Sequence, residues 1–463
     1  MTRNKKVHIN TFGCQMNVYD TSRMQNMLAA AGYAPTDSFW QADLVIVNTC
    51  AIREKAVQKV YSFLGRICGI KKRRPGMVIA VTGCVAQQQS RKLAERFEGV
   101  DLILGTHAVS HLVPYLSQVG HEDAPIIDVA MTTDIDGAAS NVPEKVENAD
   151  ISSFVTIMRG CDNFCTYCVV PYVRGRESSR RPEQIIAEIS ELVRAGAREV
   201  TLLGQNVNSY GKKEGLCSFP ELLHRIHDIE GLMRIRFVTS HPKDLSDGLI
   251  DAFSALPKLA NHVHLPVQSG ADRILSKMNR KYTREHYMQR VAKLRAARPD
   301  IAVSTDFIAG FPGETDADFA YTLDLIQQVR FDTLFAFEYS DRPEAPAARF
   351  DGKIESHEKK RRLREILDTQ ANITAEIYQA LVGTTQTVLV EGKSKKPRQK
   401  WTEFSGRSSE NRVVNFVCAD FSTSMDPNVM QGQLIDVCIE RACANSLWGA
   451  APSQIKGGKT NAA

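Results

Sequence analysis

Apolar and amphipathic segments alternate along residues 5–121. VHINTFGC, DLVIVNTC and MVIAVTGC are rich in β-branched residues, which is typical of buried strands. TSRMQNMLAAAGY and IREKAVQKVYSFLGRI lie between them and follow a helical period. Strands that alternate with helices favour a parallel sheet, so we expect a small parallel α/β domain over 5–121.

The same alternation returns after a weakly periodic, acidic and polar segment at 122–150, which is typical of a linker. Six further apolar stretches predict strands: SFVTIMRG, EVTLLGQN, RIRFVTS, HVHLPVQSG, IAVSTDFIAG and TLFAFEYS. Six βα units are too few to close an eight-stranded barrel. The pattern therefore predicts a partial, open (βα)6 barrel within a domain over 147–379.

The C-terminal pattern changes again. TQTVLVEG, RVVNFVC and GQLIDVCIERA are short alternating stretches separated by Gly, Ser and Asn, which predicts a small β-barrel over 380–445. The remaining residues have little apolar content, so we expect a disordered tail over 446–463.

Composition narrows the class of protein. No apolar run of the 463 residues reaches the ~18 residues of a membrane span. The N-terminus turns polar at once and lacks the apolar core of a signal peptide. We therefore expect a cytoplasmic protein without membrane association, whose eleven cysteines are reduced thiols or metal ligands.

Three of these cysteines end the predicted strands of the first domain, at Cys14, Cys50 and Cys84. The carboxyl ends of parallel strands meet at one edge of a sheet, so the three thiols are expected to converge there. The alternative is three unrelated buried thiols, since free cysteine is commonly buried. The other cysteines show no such repetition and are interpreted as ordinary thiols: Cys68, Cys217, Cys418, Cys438 and Cys443.

A second set has the spacing C-x3-C-x2-C and follows the first strand of the predicted barrel, at Cys161, Cys165 and Cys168. Structural zinc sites have four ligands, and the H-x-E companion of the zinc deaminases is missing from this domain. Iron–sulfur clusters are normally held by four thiolates. A [4Fe–4S] cluster with three thiolates leaves one iron open for a ligand that undergoes chemistry.

This spacing on a partial βα barrel resembles the radical S-adenosylmethionine superfamily. The resemblance implies that Cys161, Cys165 and Cys168 bind a [4Fe–4S] cluster, whose open iron is chelated by S-adenosylmethionine. Many members carry Gly-Gly-Glu after the second strand, and this chain has Gly204-Gln205-Asn206 there. An amide accepts the same hydrogen bond but forms no ion pair. Candidate cofactor contacts, chosen beside the motif and at strand ends, are Tyr167, Gln205, Asn206, Ser240, Gln268 and Asp306.

Two three-cysteine sets on one chain resemble the methylthiotransferases. In that family the N-terminal set, here Cys14, Cys50 and Cys84, holds an auxiliary [4Fe–4S] cluster that carries the sulfur to be inserted. CTYCVVPYVRGRESSRRP, LLGQNVNSYG, VTSHPKDL and HLPVQSG are similar to the branch that acts on prenylated adenosine in tRNA. The resemblance implies methylthiolation of N(6)-dimethylallyladenosine at position 37 of tRNA, with two molecules of S-adenosylmethionine used.

The C-terminal barrel resembles a TRAM domain, an RNA-binding appendage of tRNA-modifying enzymes. Cations can contact phosphates, and aromatic rings can stack on bases. The basic segment 393–400, predicted as the loop between the first two strands of this barrel, has the alternative interpretation of a solvated surface loop. The candidate RNA contacts are Arg174, Arg176, Arg180, Arg181, Lys393, Lys395, Lys396, Arg398, Lys400 and Trp401.

Two other functions remain open at this point. One is a sister methylthiotransferase that acts on threonylcarbamoyl-adenosine in tRNA or on an aspartate of a ribosomal protein. The other is a catalytically inactive iron–sulfur RNA-binding redox sensor, although a sensor needs only one cluster. We expect a monomer that uses an electron donor and a sulfur donor, and the sequence identifies neither donor nor any catalytic side chain.

Overall fold

Three units follow one another in the computed structural model, which describes residues 5–51, 54–121, 124–132, 148–394, 402–418 and 427–451. The first is a six-stranded parallel sheet in the order β2-β1-β3-β4-β5-β6. Its strands are β1 (Lys5–Phe12), β2 (Tyr33–Pro35), β3 (Leu44–Thr49), β4 (Val78–Gly83), β5 (Leu102–Leu104) and β6 (Ile126–Asp128). Its helices are α1 (Gln15–Ala30), α2 (Glu54–Lys71), α3 (Cys84–Arg96) and α4 (Leu112–Leu116).

The parallel sheet confirms the predicted fold of the first unit. Its central strands bury both faces: Val45 and Val47 pack on one side, and Leu44 and Ile46 on the other. Strand β6 pairs with β5 and lies within the segment predicted as a linker over 122–150. The sheet thus extends past residue 121, because three residues of edge strand give too little periodicity to be recognised.

The second unit contains two three-stranded parallel sheets, β7-β10-β11 and β12-β13-β14. Its strands are β7 (Ser152–Thr156), β8 (Met158–Arg159), β9 (Ser178–Ser179), β10 (Glu199–Leu203), β11 (Arg234–Phe237), β12 (His262–His264), β13 (Ala302–Ala309) and β14 (Thr333–Glu338). Its helices are α5 (Val170–Arg174), α6 (Pro182–Arg194), α7 (Phe219–His227), α8 (Asp247–Ala255), α9 (Asp272–Lys277), α10 (Arg284–Ala297), α11 (Asp316–Val329) and α12 (Ser356–Ala380).

An isolated parallel bridge between Ile235 and Leu259 links the two sheets. Strand order therefore follows chain order across six strands, which confirms the partial, open (βα)6 barrel. Alternate residues such as Val200 and Val303 face the helices and are fully buried. The opposite set of residues lines the inner face of the barrel, as strand geometry requires.

The third unit is a closed five-stranded barrel, as predicted. Its strands are β15 (Thr385–Lys393), β16 (Glu403–Ser408), β17 (Val413–Cys418), β18 (Leu434–Cys443) and β19 (Ser446–Ala451). Strand β19 shows that the prediction of a disordered tail from residue 446 was wrong. Leu447 is fully buried and Trp448 is 7% exposed, because this strand pairs with both β17 and β18 and closes the barrel.

The β16–β17 turn inserts into the amino-terminal end of the (βα)6 barrel. Arg234 donates to the Arg407 carbonyl at 3.0 Å, and Arg236 donates to the carbonyls of Ser408 and Ser409 at 2.7 and 2.9 Å. The Glu199 carboxylate accepts from Nε of both Arg234 and Arg236. One buried carboxylate thus holds the two arginines that join the second and third units.

Replacing Glu199 with Gln is expected to lower the free energy of unfolding by about 3–5 kcal/mol, because two buried guanidiniums lose their carboxylate. The measurement is chemical denaturation followed by fluorescence and circular dichroism. Glu183→Gln is the control, because the Glu183 side chain is 74% exposed beside Arg225 and its loss should cost no more than about 0.5 kcal/mol. Equal stability of the two variants would contradict the proposed role of Glu199.

Candidate metal centres at the mouth of the barrel

The first cysteine set lies at the carboxyl ends of three adjacent strands. Cys14 follows β1, Cys50 follows β3 and Cys84 follows β4. The parallel register pairs Phe12 with Thr49, and Thr49 with Gly83. The three cysteines thus come from neighbouring strand ends, as the repeated pattern predicted.

Polar side chains connect these strand ends. The Asn17 amide accepts from the Cys14 backbone N–H at 3.2 Å and donates to the Thr49 carbonyl at 3.0 Å. The Thr49 hydroxyl donates to the Thr82 carbonyl at 2.6 Å and accepts from Val85 N–H at 3.1 Å. These bonds hold the backbone at Cys14, directly before Cys50 and on both sides of Cys84.

Gly83 explains how the chain turns directly from β4 into the helix that begins with Cys84. Its φ is +91°, and a Cβ there would lie 2.4 Å from the Thr49 carbonyl oxygen. An L side chain therefore cannot be accommodated without moving the strand.

The first set faces the carboxyl-terminal mouth of the (βα)6 barrel. Cys14, Met16 and Tyr19 pack against a small apolar cluster that includes Phe154, Leu203 and Val238. Leu203 ends β10, Val238 directly follows β11, and Phe154 lies within β7. The edge of the first sheet that carries the thiols therefore covers the same end of the barrel from which the second motif emerges.

The second cysteine set lies on the loop between β8 and α5, and each sulfur has a nitrogen donor. Cys161 Sγ accepts from the Asn163 side chain, Cys165 Sγ from Arg280 Nη1 and Cys168 Sγ from Val170 N–H, each at 3.4 Å. Hydrogen bonds to sulfur stabilise thiolate and iron–sulfur ligation. The donor set is thus suited to sulfurs that carry negative charge.

The backbone of this loop is held at its start and near its middle. Gly160 has φ +75°, and a Cβ there would lie 2.0 Å from the Arg176 carbonyl oxygen. Asn279, just after α9, donates to the carbonyls of Asn163 and Phe164 at 3.1 and 3.0 Å. The loop conformation is therefore set by contacts from outside the motif.

Arg280 is a residue that the sequence analysis missed. Besides Cys165, it donates to the hydroxyls of Tyr167 and Tyr282 at 3.3 and 2.9 Å and to the Pro266 carbonyl at 2.6 Å. Its side chain is buried, with 4% of the residue exposed. No local sequence signal indicates this role, because the contact joins positions more than a hundred residues apart.

Burial raises the pKa of a thiol in each set, and Cys14 is the exception. A hydrogen bond with Cys50, opposed by burial and aided by Arg174, lowers the pKa of Cys14 to about 6. Burial raises the pKa of Cys161 to about 11 and of Cys168 to about 12. Burial also raises the pKa of Cys84, so a metal centre must displace protons from both sets when it binds.

The residues present fit iron–sulfur clusters better than single metal ions. Among the described residues, no three His, Cys, Asp or Glu side chains gather closely enough to hold one ion. In a [4Fe–4S] cluster each thiolate binds a different iron, so the sulfurs need not meet at one point. Two sets of three thiols, with N–H donors or a buried cation beside them, meet this requirement.

The predicted cofactor contacts lie around the carboxyl-terminal mouth of the barrel. Two of them, Gln205 and Asn206, form hydrogen bonds within the protein. Gln205 accepts from Gly160 N–H and so supports the cysteine loop. Asn206 donates to Asp244 at 2.8 Å and accepts from His241 N–H at 3.1 Å. These two amides are engaged in holding loops together.

Tyr167 is partly buried against an apolar cluster with Met278 and Phe311. Gln268 has φ +79°, and its backbone pairs with β13 next to Asp306. Asp306 lies on the inner face of the barrel, 3.6 Å from His264 Nε2. Their contact with a cofactor remains a prediction.

Three buried side chains beyond β10 and β11 have polar atoms without a hydrogen-bond partner. They are Ser240 Oγ, His241 Nε2 and both amide atoms of Asn208, on residues that are 4–5% exposed. Buried polar atoms are rarely left unpaired, so these atoms are candidates for contact with a ligand. Of the three, the sequence analysis identified only Ser240.

The predicted RNA contacts separate into buried and exposed residues. Arg174 and Arg180 are 4% and 1% exposed, and Arg180 pairs with Glu188, so neither presents a guanidinium to RNA. The prediction for these two was wrong because a cluster of cations in sequence does not reveal which of them fold inward. Arg176 and Arg181 are exposed, and Arg176 lies 3.3 Å from Asp162.

In the third unit, Lys393 ends β15. Lys395, Lys396, Arg398, Lys400 and Trp401 lie outside the described residues. Their assignment to RNA binding remains a prediction from sequence.

Family models match the first two of the three units. Residues 6–105 match the uncharacterized protein family UPF0004, and residues 155–326 match the Radical SAM superfamily. Among solved structures, a radical S-adenosylmethionine methyltransferase, TsrM, from Kitasatospora setae superposes with a TM-score of 0.54 at 15% identity, over 83% of this chain and 78% of that one. At this identity the likeness shows the fold alone.

Curated relatives match over nearly the whole length. The tRNA-2-methylthio-N(6)-dimethylallyladenosine synthase of Desulfosudis oleivorans is 51% identical, covering 96% of this chain and 97% of the relative. The protein of the same name from Geotalea uraniireducens is 46% identical, covering 97% and 99%. The similarity thus extends through all three units.

Proposed function

The chain belongs to the tRNA-2-methylthio-N(6)-dimethylallyladenosine synthase family, and from this premise we propose how its residues serve that reaction. It is a radical S-adenosylmethionine transferase that replaces hydrogen by a methylthio group on N(6)-dimethylallyladenosine of tRNA. It uses S-adenosylmethionine and [4Fe–4S] clusters. The sister branches and the redox sensor are not favoured, because the relatives that match over the full length share one name.

We assign the radical-generating cluster to Cys161, Cys165 and Cys168 and the auxiliary cluster to Cys14, Cys50 and Cys84. When bound, the first supplies the radical that removes hydrogen from an unactivated ring carbon, and the second supplies the sulfur. An aromatic C–H bond offers no acidic proton, so general-base catalysis by a side chain would not suffice. The work of the chain is to hold and orient these groups.

The observation that carries this assignment is the position of Cys14. It packs with Leu203 and Val238, at the ends of two barrel strands, while the second set leaves the same end of the barrel. Sulfur insertion requires the sulfur donor site and the substrate carbon to be adjacent. Two thiol sets at one mouth satisfy this requirement.

We place the methionine part of S-adenosylmethionine near Ser240, His241 and Asn208. Their unpaired polar atoms lie beyond β10 and β11. Burial lowers the pKa of His241, and Arg280 and Lys243 act in the same direction, so His241 is a neutral hydrogen-bonding group at neutral pH. Arg280 keeps Cys165 oriented and offers positive charge to its sulfur.

We assign the prenyl group to the inner face of the second half-barrel. Phe335 and Phe337 on the edge strand β14 are 49% and 39% exposed and lie on the same face as Asp306 and His264. The Phe335 and His264 rings are 6.3 Å apart in an edge-on arrangement. Exposed aromatic side chains within a partial barrel offer apolar surface to a five-carbon prenyl chain.

We further propose that the protein works as a monomer in the cytoplasm, with external electron and sulfur donors. A tRNA substrate supports the location. Among the helices that the structure describes, none has the length and apolar composition of a membrane span.

The basic segment at 393–400 supplies a prediction about tRNA binding. Five of the eight residues from Lys393 to Lys400 are cations, without a carboxylate among them. Each phosphate contact adds roughly 0.7–0.9 to the slope of log affinity against log salt. Changing Lys395, Lys396 and Arg398 together to Ala should therefore flatten that slope by about two units in a salt titration of tRNA binding.

The weakening should be similar for different tRNAs, because phosphates carry no sequence information. Arg194→Ala is the control, since this exposed arginine pairs with Glu191 on α6 and should leave the slope unchanged. Parallel titration lines for the triple variant and the unaltered protein would mean that tRNA docks elsewhere.

The substrate assignment is tested in a strain from which the gene has been deleted. Mass spectrometry of its tRNA nucleosides should show N(6)-dimethylallyladenosine in place of the methylthio form. Restoring the gene should restore the methylthio nucleoside. An unchanged nucleoside profile in the deletion strain would refute the function.

A further inference from the structure

Arg174 belongs to the barrel unit but contacts the first cysteine set. It ends α5, six residues after Cys168, and its backbone carbonyl contacts His107 Nε2 at 3.1 Å. Val173, just before it, packs in the same apolar cluster as Cys84. The Val173 carbonyl accepts from the Thr106 hydroxyl at 2.7 Å. The segment that follows the second thiol set is thus fixed against the unit that carries the first.

The Arg174 guanidinium is buried beside the thiols of the first set. It is 4% exposed and interacts with Cys14 and Cys84. An arginine side chain keeps its proton in proteins, because its ordinary pKa lies far above neutral pH. The side chain is therefore a permanent cation at this position.

The charges around it do not balance. The nearest carboxylate oxygen, Asp20 Oδ2, is 3.7 Å from Arg174 Nη2, which is too long for a hydrogen bond. The same carboxylate also faces Arg159, which is 6% exposed and whose pKa burial lowers only to about 10. The Asp20 carboxylate is thus shared between the two buried guanidiniums of Arg174 and Arg159. Arg23 adds a further positive charge that acts on Arg159.

Other charged groups nearby do not correct this excess. Arg180 is engaged by Glu188, which also accepts from the Tyr19 hydroxyl. Arg174 Nη2 and Arg159 Nε have no hydrogen-bond partner although both atoms are buried. A buried cation with an unused donor is costly unless an anion completes it. The site therefore fits negative charge on the sulfurs of Cys14 and Cys84.

We propose that Arg174 is a positioning residue of the auxiliary centre: its guanidinium donates to anionic sulfur there and raises the reduction potential of that centre. The inference rests on the assignment of an auxiliary cluster to Cys14, Cys50 and Cys84. A cation beside a cluster stabilises the reduced form, which carries one more negative charge. Because α5 directly follows the second thiol set, the loop of one centre contributes the electrostatic environment of the other.

The test uses the full chain with Cys161, Cys165 and Cys168 changed to Ala, so that only the first set is available for a cluster. After reconstitution with iron and sulfide, the midpoint potential is measured by redox titration followed by electron paramagnetic resonance. Arg174→Gln should make reduction at least tenfold less favourable, which corresponds to a decrease of about 59 mV for one electron. Arg174→Lys retains the charge and should recover most of this shift.

Asp20→Asn provides a second variant with an effect of opposite sign. Removing the carboxylate leaves more positive charge near the centre, so the potential should rise. Arg176→Gln is the matched control, because this arginine lies two residues away but its side chain is 64% exposed; the potential should not change. A purely structural role for Arg174 would not give shifts of opposite sign in the Gln and Asn variants.

The proposal is overturned if Arg174→Gln binds the normal amount of iron and keeps the unaltered potential. If Arg174→Gln fails to bind a cluster, the Asp20→Asn variant provides the test. An unaltered midpoint potential in Asp20→Asn overturns the proposal, and a raised midpoint potential supports it. Failure of the parent chain to bind iron at its first set would instead refute the assignment of the auxiliary cluster. The two failures are therefore distinguishable.

Discussion

Cys165→Ala is expected to abolish reductive cleavage of S-adenosylmethionine, whereas Cys50→Ala should leave cleavage largely intact and stop methylthio transfer. The reason is that the two thiol sets hold separate clusters, and each cluster depends on only three protein ligands. Iron analysis should show roughly half of the iron lost in each variant, in line with the loss of one of two equal clusters. Chromatography of 5′-deoxyadenosine and of tRNA nucleosides separates the two activities.

Cys68→Ala is the matched control for this experiment. Cys68 is a partly buried thiol that contacts the backbone at Gly99 and belongs to neither set. Its replacement should leave iron content and both products unchanged. Normal methylthio product from Cys50→Ala would show that the proposed division between the two sets is wrong.

Removing the prenyl group from tRNA is expected to lower kcat/KM by roughly 30–150-fold. Five carbons at ~0.8 kcal/mol each give an upper limit of about 4 kcal/mol, and partial burial should retain about 2–3 kcal/mol of this. Each 1.36 kcal/mol corresponds to a tenfold change in rate. The measurement compares turnover of prenylated and unprenylated tRNA under the same reducing conditions.

Phe335→Ala should shrink this preference, because its exposed ring contributes apolar surface to the inner face of the barrel. Tyr321→Ala is the control, since this 56% exposed aromatic contacts Arg284 and not the inner face. Equal turnover of the two tRNAs by the unaltered protein would refute the prenyl requirement. An unchanged preference in Phe335→Ala would refute the assignment of the prenyl group to the inner face at β14.

The architecture was predictable where sequence periodicity was strong. The repeated strand-then-cysteine pattern predicted that Cys14, Cys50 and Cys84 follow adjacent strands of one parallel sheet, and the structure confirms this. Six βα units predicted the open barrel for the same reason. Two strands were missed: β6 is a three-residue edge strand, and β19 is a six-residue strand whose place in the barrel depends on its pairing with β17 and β18.

The surroundings of the site could not be predicted, because they depend on long-range contacts. Arg280 reaches Cys165 across more than a hundred residues, and Arg174 turns inward although the sequence analysis interpreted it as an RNA contact. Gln205 was interpreted as a cofactor contact, but its side chain supports the cysteine loop through Gly160. Sequence spacing identified the thiols; tertiary packing decides which polar groups face them.

The account is tested most directly by reconstituting the full-length protein with iron and sulfide and incubating it with S-adenosylmethionine, a low-potential reductant and prenylated tRNA. Mass spectrometry should then show a CH3S group in place of hydrogen on N(6)-dimethylallyladenosine, together with 5′-deoxyadenosine. Formation of 5′-deoxyadenosine without any change in the prenylated nucleoside, or methylthiolation of a threonylcarbamoyl-adenosine instead, would contradict the account.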